Sequence, residues 1–445
     1  MSLYKDQVLT IEPTGIEPVG DEQRHGTPRN LFGLWFSANA EIATWMVGVF
    51  VVALYGTSLE SAAIGIVLGN VAGFGILALL ALWGPKYGVP QMVSSRSAFG
   101  LRGNVAPATL GFLAGIGWFA INTIFGAYAL QTIAGWPYGV ALAVMLVLQI
   151  LLAVYGYNAI HAFETACVIV LAAGFALLGA KTMPAAQWAA FNPHAPLAAG
   201  GAIAGFVFAT TLAFSYATGW IPYASDYSRY LPGTSSKRAV WWYSFLGCAV
   251  PCIALEIMGA ATVSAVPTVD LSSALPTQAI AVVLGSGIVA KLVLAVIVVG
   301  TLAANCMNLY SGALAAMVAF DVRVKRAVAA VAVGIVGALL SIAGSNPRDT
   351  ADAYTNFLLL LSYWVAPWAA VVIVDAIKHR HDDTAVARAA WRPGLFAWLA
   401  GCAASVPFWS QLWFTGPIAR AFPQIGDLSY YAGFSVAAIV MWVVP

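Results

Sequence analysis

The chain has 445 residues, of which 61% are hydrophobic and 9% charged, with a formal net charge of +2. A soluble protein carries about 25% charged residues, so this composition excludes a water-soluble globular fold and offers no basic surface to nucleic acid. The solvent that suits it is a bilayer, where a spanning helix takes about 20 apolar residues.

Residues 1–30, MSLYKDQVLTIEPTGIEPVGDEQRHGTPRN, are polar and rich in Pro and Gly. They show no signal peptide and read as a flexible tail. Twelve apolar runs follow, with approximate limits 32–55, 60–83, 107–133, 137–155, 158–180, 202–224, 239–263, 285–316, 326–344, 352–376, 395–414 and 428–445. With the N-terminus inside, the cytoplasmic segments hold Lys5, Arg24, Arg29, Lys86, Arg96, Arg102, Arg229, Lys237, Arg238, Arg323, Lys325, Arg326, Lys378, Arg380, Arg388 and Arg392. The outer segments hold Lys181, Arg348 and Arg420, with Lys291 near the start of span eight. Sixteen against three is the positive-inside bias of a cell (inner) membrane protein with both termini cytoplasmic.

Span one contains GLWFSANAEIATWMVG, and five spans later span six contains AFSYATGWIPYASD. Pro222 removes a donor from the helix ladder, and paired interruptions at matching depth are a mark of transporters built from inverted repeats. Such breaks persist in a bilayer where freed backbone groups face protein, water or a solute. The loops GPKYGVPQMVSSRSAFG after span two and VPTVDLSSALPTQAIA after span seven also correspond, each long enough for a short re-entrant or interfacial helix. The expected domains are the 1–30 tail, a first repeat over 31–180, a second over 200–378, and two added spans over 393–445.

Span three places Trp118 and Asn122 on one helix face. Span six adds Tyr216 and Trp220, and span eight sets Thr301, Asn305, Asn308 and Gly312 in one polar stripe. Flat aromatic faces with carboxamides and few charges suit a small planar solute with amide-like edges. Indole anchoring and helix–helix hydrogen bonding are the alternatives for these Trp and Asn residues. Glu41, Glu164 and Glu256 lie within apparent spans, where a carboxyl can carry a coupling proton. His161 stands one turn from Glu164, whereas Glu256 has no polar neighbour in its own stretch. Asp226 and Arg229, at the cytoplasmic end of span six, suit helix geometry or gating. The five cysteines (Cys167, Cys248, Cys252, Cys306, Cys402) lie in apolar runs without ligand spacing, so neither metal nor cofactor is expected. No GxxxxGK[ST] motif is present, which points away from ATP and toward an ion gradient. No nucleophile–base pair or sensory domain suggests an enzyme or a receptor.

The stretches GPKYGVPQMVSSRSAFG, GWIPYASDYSRY and AANCMNLYS resemble the nucleobase–cation symport family, in its purine–cytosine permease branch. The resemblance implies an all-α integral membrane fold of about twelve transmembrane helices, a LeuT-type five-plus-five inverted repeat plus two C-terminal helices. It implies uptake of a nucleobase with a cation, the base lying between aromatics of spans three and six. Carried over, those positions are Trp118 with Asn122, and Trp220; the span-eight pair is Asn305 and Asn308, and the span-five acid is Glu164. Ser37, Asn39 and Thr44 are the span-one candidates. Sodium-coupled relatives use two hydroxyl residues near the positions of Val299 and Gly300; here Thr301 stands alone, which favours H+ over Na+. The expectation is a proton symporter of cytosine and/or purines working by alternating access. Allantoin, a hydantoin, pyridoxine or a hydroxymethylpyrimidine, with sodium as the ion, is the alternative. Its partners are then a small-molecule base and the lipid bilayer, not nucleic acid, and nothing in the sequence sets an oligomeric state.

Overall fold

The structure, a computed structural model, describes residues 8–444 apart from 191, 193, 196, 198, 199, 267–274, 323, 345, 379–388 and 412. The described residues are almost wholly helical, with one isolated β-bridge between Ser410 and Thr415. Span one is a pair of half-helices, Arg29–Asn39 and Ile42–Tyr55, bent by 57° at the break. Spans two to five are Leu59–Ala81, Val105–Ala134, Tyr138–Tyr155 and Tyr157–Thr182. Spans six to ten are Gly201–Trp220, Lys237–Ala265, Ile288–Ala319, Arg326–Ala343 and Pro347–Lys378. Spans eleven and twelve are Gly394–Ser405 and Ser429–Val443. Nine helices among the described residues are long and apolar enough to cross a membrane, the bent pair supplies a tenth crossing, and the last two are shorter apolar helices.

Lipid-immersed helices gain no hydrophobic energy from one another, so close approach has to come from small side chains. Span two presents Gly65, Gly69 and Gly73 to span six; a Cβ on Gly69 would stand 2.3 Å from the Thr210 carbonyl, and one on Gly73 would stand 2.4 Å from Ala217 Cβ. Span one meets span seven as tightly. A Cβ on Gly48 would lie 1.7 Å from the Glu256 carbonyl, and one on Gly259 would lie 2.0 Å from that of Trp45. Between spans three and eight, a Cβ on Gly115 would come within 3.0 Å of Gly312 Cα. Two further close approaches reach the break itself: a Cβ on Gly300 of span eight would stand 2.9 Å from the Ala40 carbonyl of span one, and one on Gly219 of span six would stand 2.7 Å from Trp118 Nε1 of span three.

Two expectations change here. Span six is not opened as span one is: after Trp220 the chain tightens into a 3-10 turn, Ile221–Tyr223, and resumes as Ala224–Ser228. Pro222 cannot donate, yet the Ile221 N–H takes the Thr218 carbonyl and the Thr218 hydroxyl donates to the Ser215 carbonyl at 2.7 Å. The turn absorbs the missing bond, so the helix has no reason to unwind.

The N-terminal segment, from residue 8 onward, is not a flexible tail. Glu12 pairs with Arg229 Nη2 and Arg326 Nε, each at 3.3 Å, and accepts from the Tyr157 backbone N–H at 2.9 Å and the Tyr310 hydroxyl at 3.0 Å. The Tyr230 hydroxyl donates to it as well. Arg229 Nη1 donates to the Gly15 carbonyl at 2.7 Å, and the His25 N–H donates to the Tyr230 carbonyl at 2.6 Å. Both guanidinium groups are fully buried, and a buried charge needs a counter-charge. The segment supplies it, tying together the ends of spans five, six, eight and nine.

The loop after span two forms three short helices, Trp83–Tyr87, Gln91–Ser94 and Arg96–Gly103. In the loop after span seven, residues 267–274 lie outside the described residues, and the remainder forms the helix Pro276–Leu284.

Candidate functional site

Span one breaks at Ala40 (φ −80°, ψ 64°) and Glu41 (φ −132°, ψ 168°), so Glu41 becomes the cap of the second half-helix. The candidates from this span build the break. Thr44 Oγ1 donates to the Asn39 carbonyl at 2.7 Å, satisfying the open end of the first half-helix. Asn39 Nδ2 donates to the Trp35 carbonyl at 2.8 Å, and its Oδ1 accepts from Cys252 Sγ at 3.2 Å. Ser37 donates to the Glu164 carbonyl at 2.7 Å. All three side chains are buried and committed to internal bonds.

Around the break stands the aromatic and amide cluster. Trp118 meets Tyr216, Tyr354 and Phe357 edge-on, with ring centroids 5.4, 5.9 and 5.4 Å away. Tyr216 lies 2.6 Å from the Thr44 hydroxyl and donates to Glu41 Oε1 at 3.1 Å. Asn122 sits one turn along from Trp118 with its carboxamide beside the Glu41 carboxyl, and both of its ends are buried with no other protein partner. Trp220 is edge-on to Trp35 at 5.8 Å, and its Nε1 also has no protein partner. The structure thus brings Trp118, Asn122, Tyr216 and Glu41 into one place, with Trp220 a turn further along span six.

The polar stripe of span eight is mostly a packing seam. Asn305 Nδ2 donates to the Phe119 carbonyl at 2.9 Å and to Thr123 Oγ1 at 3.1 Å, both on span three. Thr301 donates to the Val298 carbonyl at 2.9 Å and faces Gly126 of span three, where a Cβ would lie 2.6 Å from its hydroxyl. Asn308 differs: its Nδ2 donates to Asn305 Oδ1 at 3.2 Å, while its own Oδ1 is buried with no partner.

Three membrane acids occupy distinct settings. Glu41 and Glu164 each leave Oε2 without a protein hydrogen bond. Glu164 Oε1 takes Cys306 Sγ at 3.7 Å, and the His161 ring lies against the Thr165 hydroxyl at 3.3 Å. Glu256 does have a polar neighbour, though not in its own stretch: Asn70 of span two donates to Oε2 at 2.7 Å. At the end of span six, Asp226 Oδ1 accepts the Gln91 N–H at 2.8 Å, and the Ser225 N–H donates to Gln91 Oε1 at 3.2 Å. That clamps the loop after span two onto span six, while Arg229 holds the N-terminal segment.

Sequence reasoning missed Thr123, Gln149, Cys306, Asn70 and Glu12. An isolated amide in an apolar run, as at Gln149 in span four and Asn70 in span two, was the available signal.

Residues 18–433 match the family model of permeases for cytosine/purines, uracil, thiamine and allantoin. The chain belongs to this family. The permease is therefore a multi-pass membrane transporter of the nucleobase type and not an enzyme. It is 28% identical to the purine-cytosine permease fcyB of Emericella nidulans, over 97% of this chain and 87% of that protein. Its backbone matches Mhp1, a nucleobase-cation-symport-1 family transporter, in a closed conformation with bromovinylhydantoin bound. The TM-score is 0.75 at 18% identity, covering 97% of this chain and 94% of that one. Against the inward-facing conformation of Mhp1 the TM-score is 0.69, covering 97% and 92%. The fold is of the LeuT type expected from the sequence.

Proposed function

We propose that the permease imports cytosine and/or purine bases across the cell (inner) membrane by proton symport. Its two five-span repeats alternate access around the break in span one. The observation that supports this most directly is the group of buried polar atoms without protein partners near that break. They include both ends of Asn122, Asn308 Oδ1, Trp220 Nε1, and one oxygen each of Glu41 and Glu164. Buried polar groups are satisfied in folded proteins, and a flat heterocycle with amide-like edges has the donors and acceptors to satisfy these. Trp118 and Tyr216 supply the aromatic surface beside them.

Proton coupling is supported by the donor set. Sodium takes several oxygen ligands; in this stretch Thr301 supplies a single side-chain hydroxyl, and Val299 and Gly300 add none. Glu41 and Glu164, by contrast, are carboxyls able to take a proton and release it. The cytoplasmic assignment of both termini follows from the sixteen-to-three distribution of Lys and Arg. The end holding Arg229, Arg326 and the N-terminal segment is then the cytoplasmic face.

The breadth of the family description supports a second reading, another flat heterocycle such as allantoin, or a vitamin of the pyridoxine or hydroxymethylpyrimidine type, with sodium as the ion. Uptake by proteoliposomes of labelled cytosine, adenine and allantoin separates the two. Saturable cytosine or adenine uptake supports the first reading. Allantoin uptake without either base moves the substrate to the second.

A further inference from the structure

An asparagine in a binding site is usually ambiguous, because its carboxamide can turn over and offer either a donor or an acceptor. Asn308 is not ambiguous. A backbone carbonyl can only accept, so the Phe119 carbonyl, 2.9 Å from Asn305 Nδ2, decides which end of Asn305 faces span three. Thr123 Oγ1 takes the same amide nitrogen at 3.1 Å. The Thr123 hydroxyl is itself held, donating to the Phe119 carbonyl at 2.6 Å and lying 2.8 Å from Gln149 Oε1 of span four. Asn305 must therefore point Oδ1 away from span three, where it accepts Asn308 Nδ2 at 3.2 Å. That fixes Asn308 with its nitrogen toward Asn305, one N–H spent there and the second still available, and its Oδ1 facing the other way, buried and without a protein partner. Turning Asn308 over would set two acceptor oxygens against each other with no proton between them.

We infer that Asn305, held by span three, is a positioning residue that fixes Asn308 as a hydrogen-bond acceptor, so that the permease selects heterocycles which present an N–H to Asn308 Oδ1. This rests on the proposed site and narrows it: a ligand is admitted for the proton it brings, while Asn122, with no protein partner besides the Glu41 carboxyl, adapts to the rest of its edge.

The test is equilibrium binding of labelled cytosine, adenine and allantoin to the purified full-length permease in nanodiscs, from pH 5 to pH 8. The proteins compared are the wild type, Asn308→Asp, Asn308→Leu, Asn305→Leu and the double variant Asn305→Leu/Asn308→Asp, each shown by its melting curve to be folded. A protonated Asp at 308 reproduces the native pattern, its O–H donating to Asn305 Oδ1 and its C=O facing the ligand; the ionised form cannot. The titratable groups around this stretch are Glu41 at the break, Glu164 behind the Cys306 thiol, Tyr223, which lies close to the Asn308 carbonyl across Gly115, Tyr227, which donates to the Met307 carbonyl at 2.8 Å, and Asp226 beyond Ser311. Their contribution appears in the wild-type curve and is removed by taking ratios to it.

Asn308→Asp should bind within roughly tenfold of wild type at pH 5 and lose at least about tenfold more by pH 8, whereas Asn308→Leu should be down about hundredfold throughout. If Asn308→Asp is as weak as Asn308→Leu at every pH, the residue serves as a donor and the inference is wrong. In the double variant the protonated Asp has no acceptor at 305 for its O–H, so its advantage at pH 5 over pH 8 should shrink. An unchanged pH profile there would make Asn305 merely structural and overturn its positioning role. If the wild type binds allantoin alone, the nucleobase reading fails and the same ratios decide the inference on allantoin. A folded wild type that binds none of the three, all of which carry N–H groups, overturns it.

Discussion

Trp118 has three aromatic neighbours, all meeting it edge-on, an arrangement that fixes the indole plane without stacking on it. A base lying on that plane would gain about 1–3 kcal/mol from stacking, so Trp118→Ala should raise the apparent Kd for a base by roughly ten- to hundredfold. Asn122→Ala should abolish uptake, because it removes a buried carboxamide whose polar neighbour in the protein is the Glu41 carboxyl alone. For the same reason its melting temperature should stay at the wild-type value. Near-normal uptake by both variants would remove the proposed site. Glu164 is the test of coupling at this scale. Its Oε1 is touched by Cys306 and its backbone carbonyl by Ser37, so it sits where spans one, five and eight meet. Glu164→Gln keeps the shape and cannot release a proton; it should exchange substrate across the membrane yet fail to accumulate it when a pH gradient is imposed. Accumulation with unchanged pH dependence would take Glu164 out of the mechanism.

Among the elements, the limits of most spans were legible in the sequence because hydropathy averages over some twenty residues and tolerates local exceptions; span eleven, read as 395–414, ends at Ser405 with a 3-10 turn to Phe408. The break in span one was legible too, from the run of small and polar residues around Glu41. The break expected in span six is not there, since one Pro can be absorbed by a 3-10 turn when a nearby N–H and a Thr hydroxyl take up the loose carbonyls. Helical periodicity placed Thr301, Asn305 and Asn308 on one face but could not say what faced them; for Asn305 and Thr301 it is span three. Nor could it pair Glu256 with Asn70, which lies 186 positions away. The N-terminal segment has a linker's composition, and its docking turns on a single carboxylate meeting two buried guanidinium groups. Glu12→Gln leaves both without their counter-charge, and breaking a buried pair from one side costs about 3–5 kcal/mol. A clear fall in melting temperature in detergent is expected, with partial recovery in Glu12→Asp. An unchanged melting curve would mean the segment does not hold the helix ends together. The seam between spans one and seven can be probed in the same way. Gly48→Ala drives a methyl into the Glu256 carbonyl, and overpacking of this kind costs about 1–3 kcal/mol; a melting temperature equal to wild type would contradict the closeness of that contact.

For the molecule as a whole, glycines let the spans pack closely, the break in span one places the buried Glu41 carboxyl beside Tyr216, and the N-terminal segment ties four spans together on the proposed cytoplasmic face. A symporter has to release that face in each cycle while keeping ion and solute movements linked. The family and fold are established by the comparison; the substrate and the driving ion are the proposals that give the architecture its purpose. The most direct measurement is uptake of labelled cytosine into proteoliposomes, with inward proton and sodium gradients imposed separately and with adenine, hypoxanthine, uracil and allantoin as competitors. Accumulation driven by the proton gradient alone and suppressed by unlabelled purines is the expected result. Accumulation that requires sodium, or no cytosine uptake by folded protein that takes up allantoin, would contradict it.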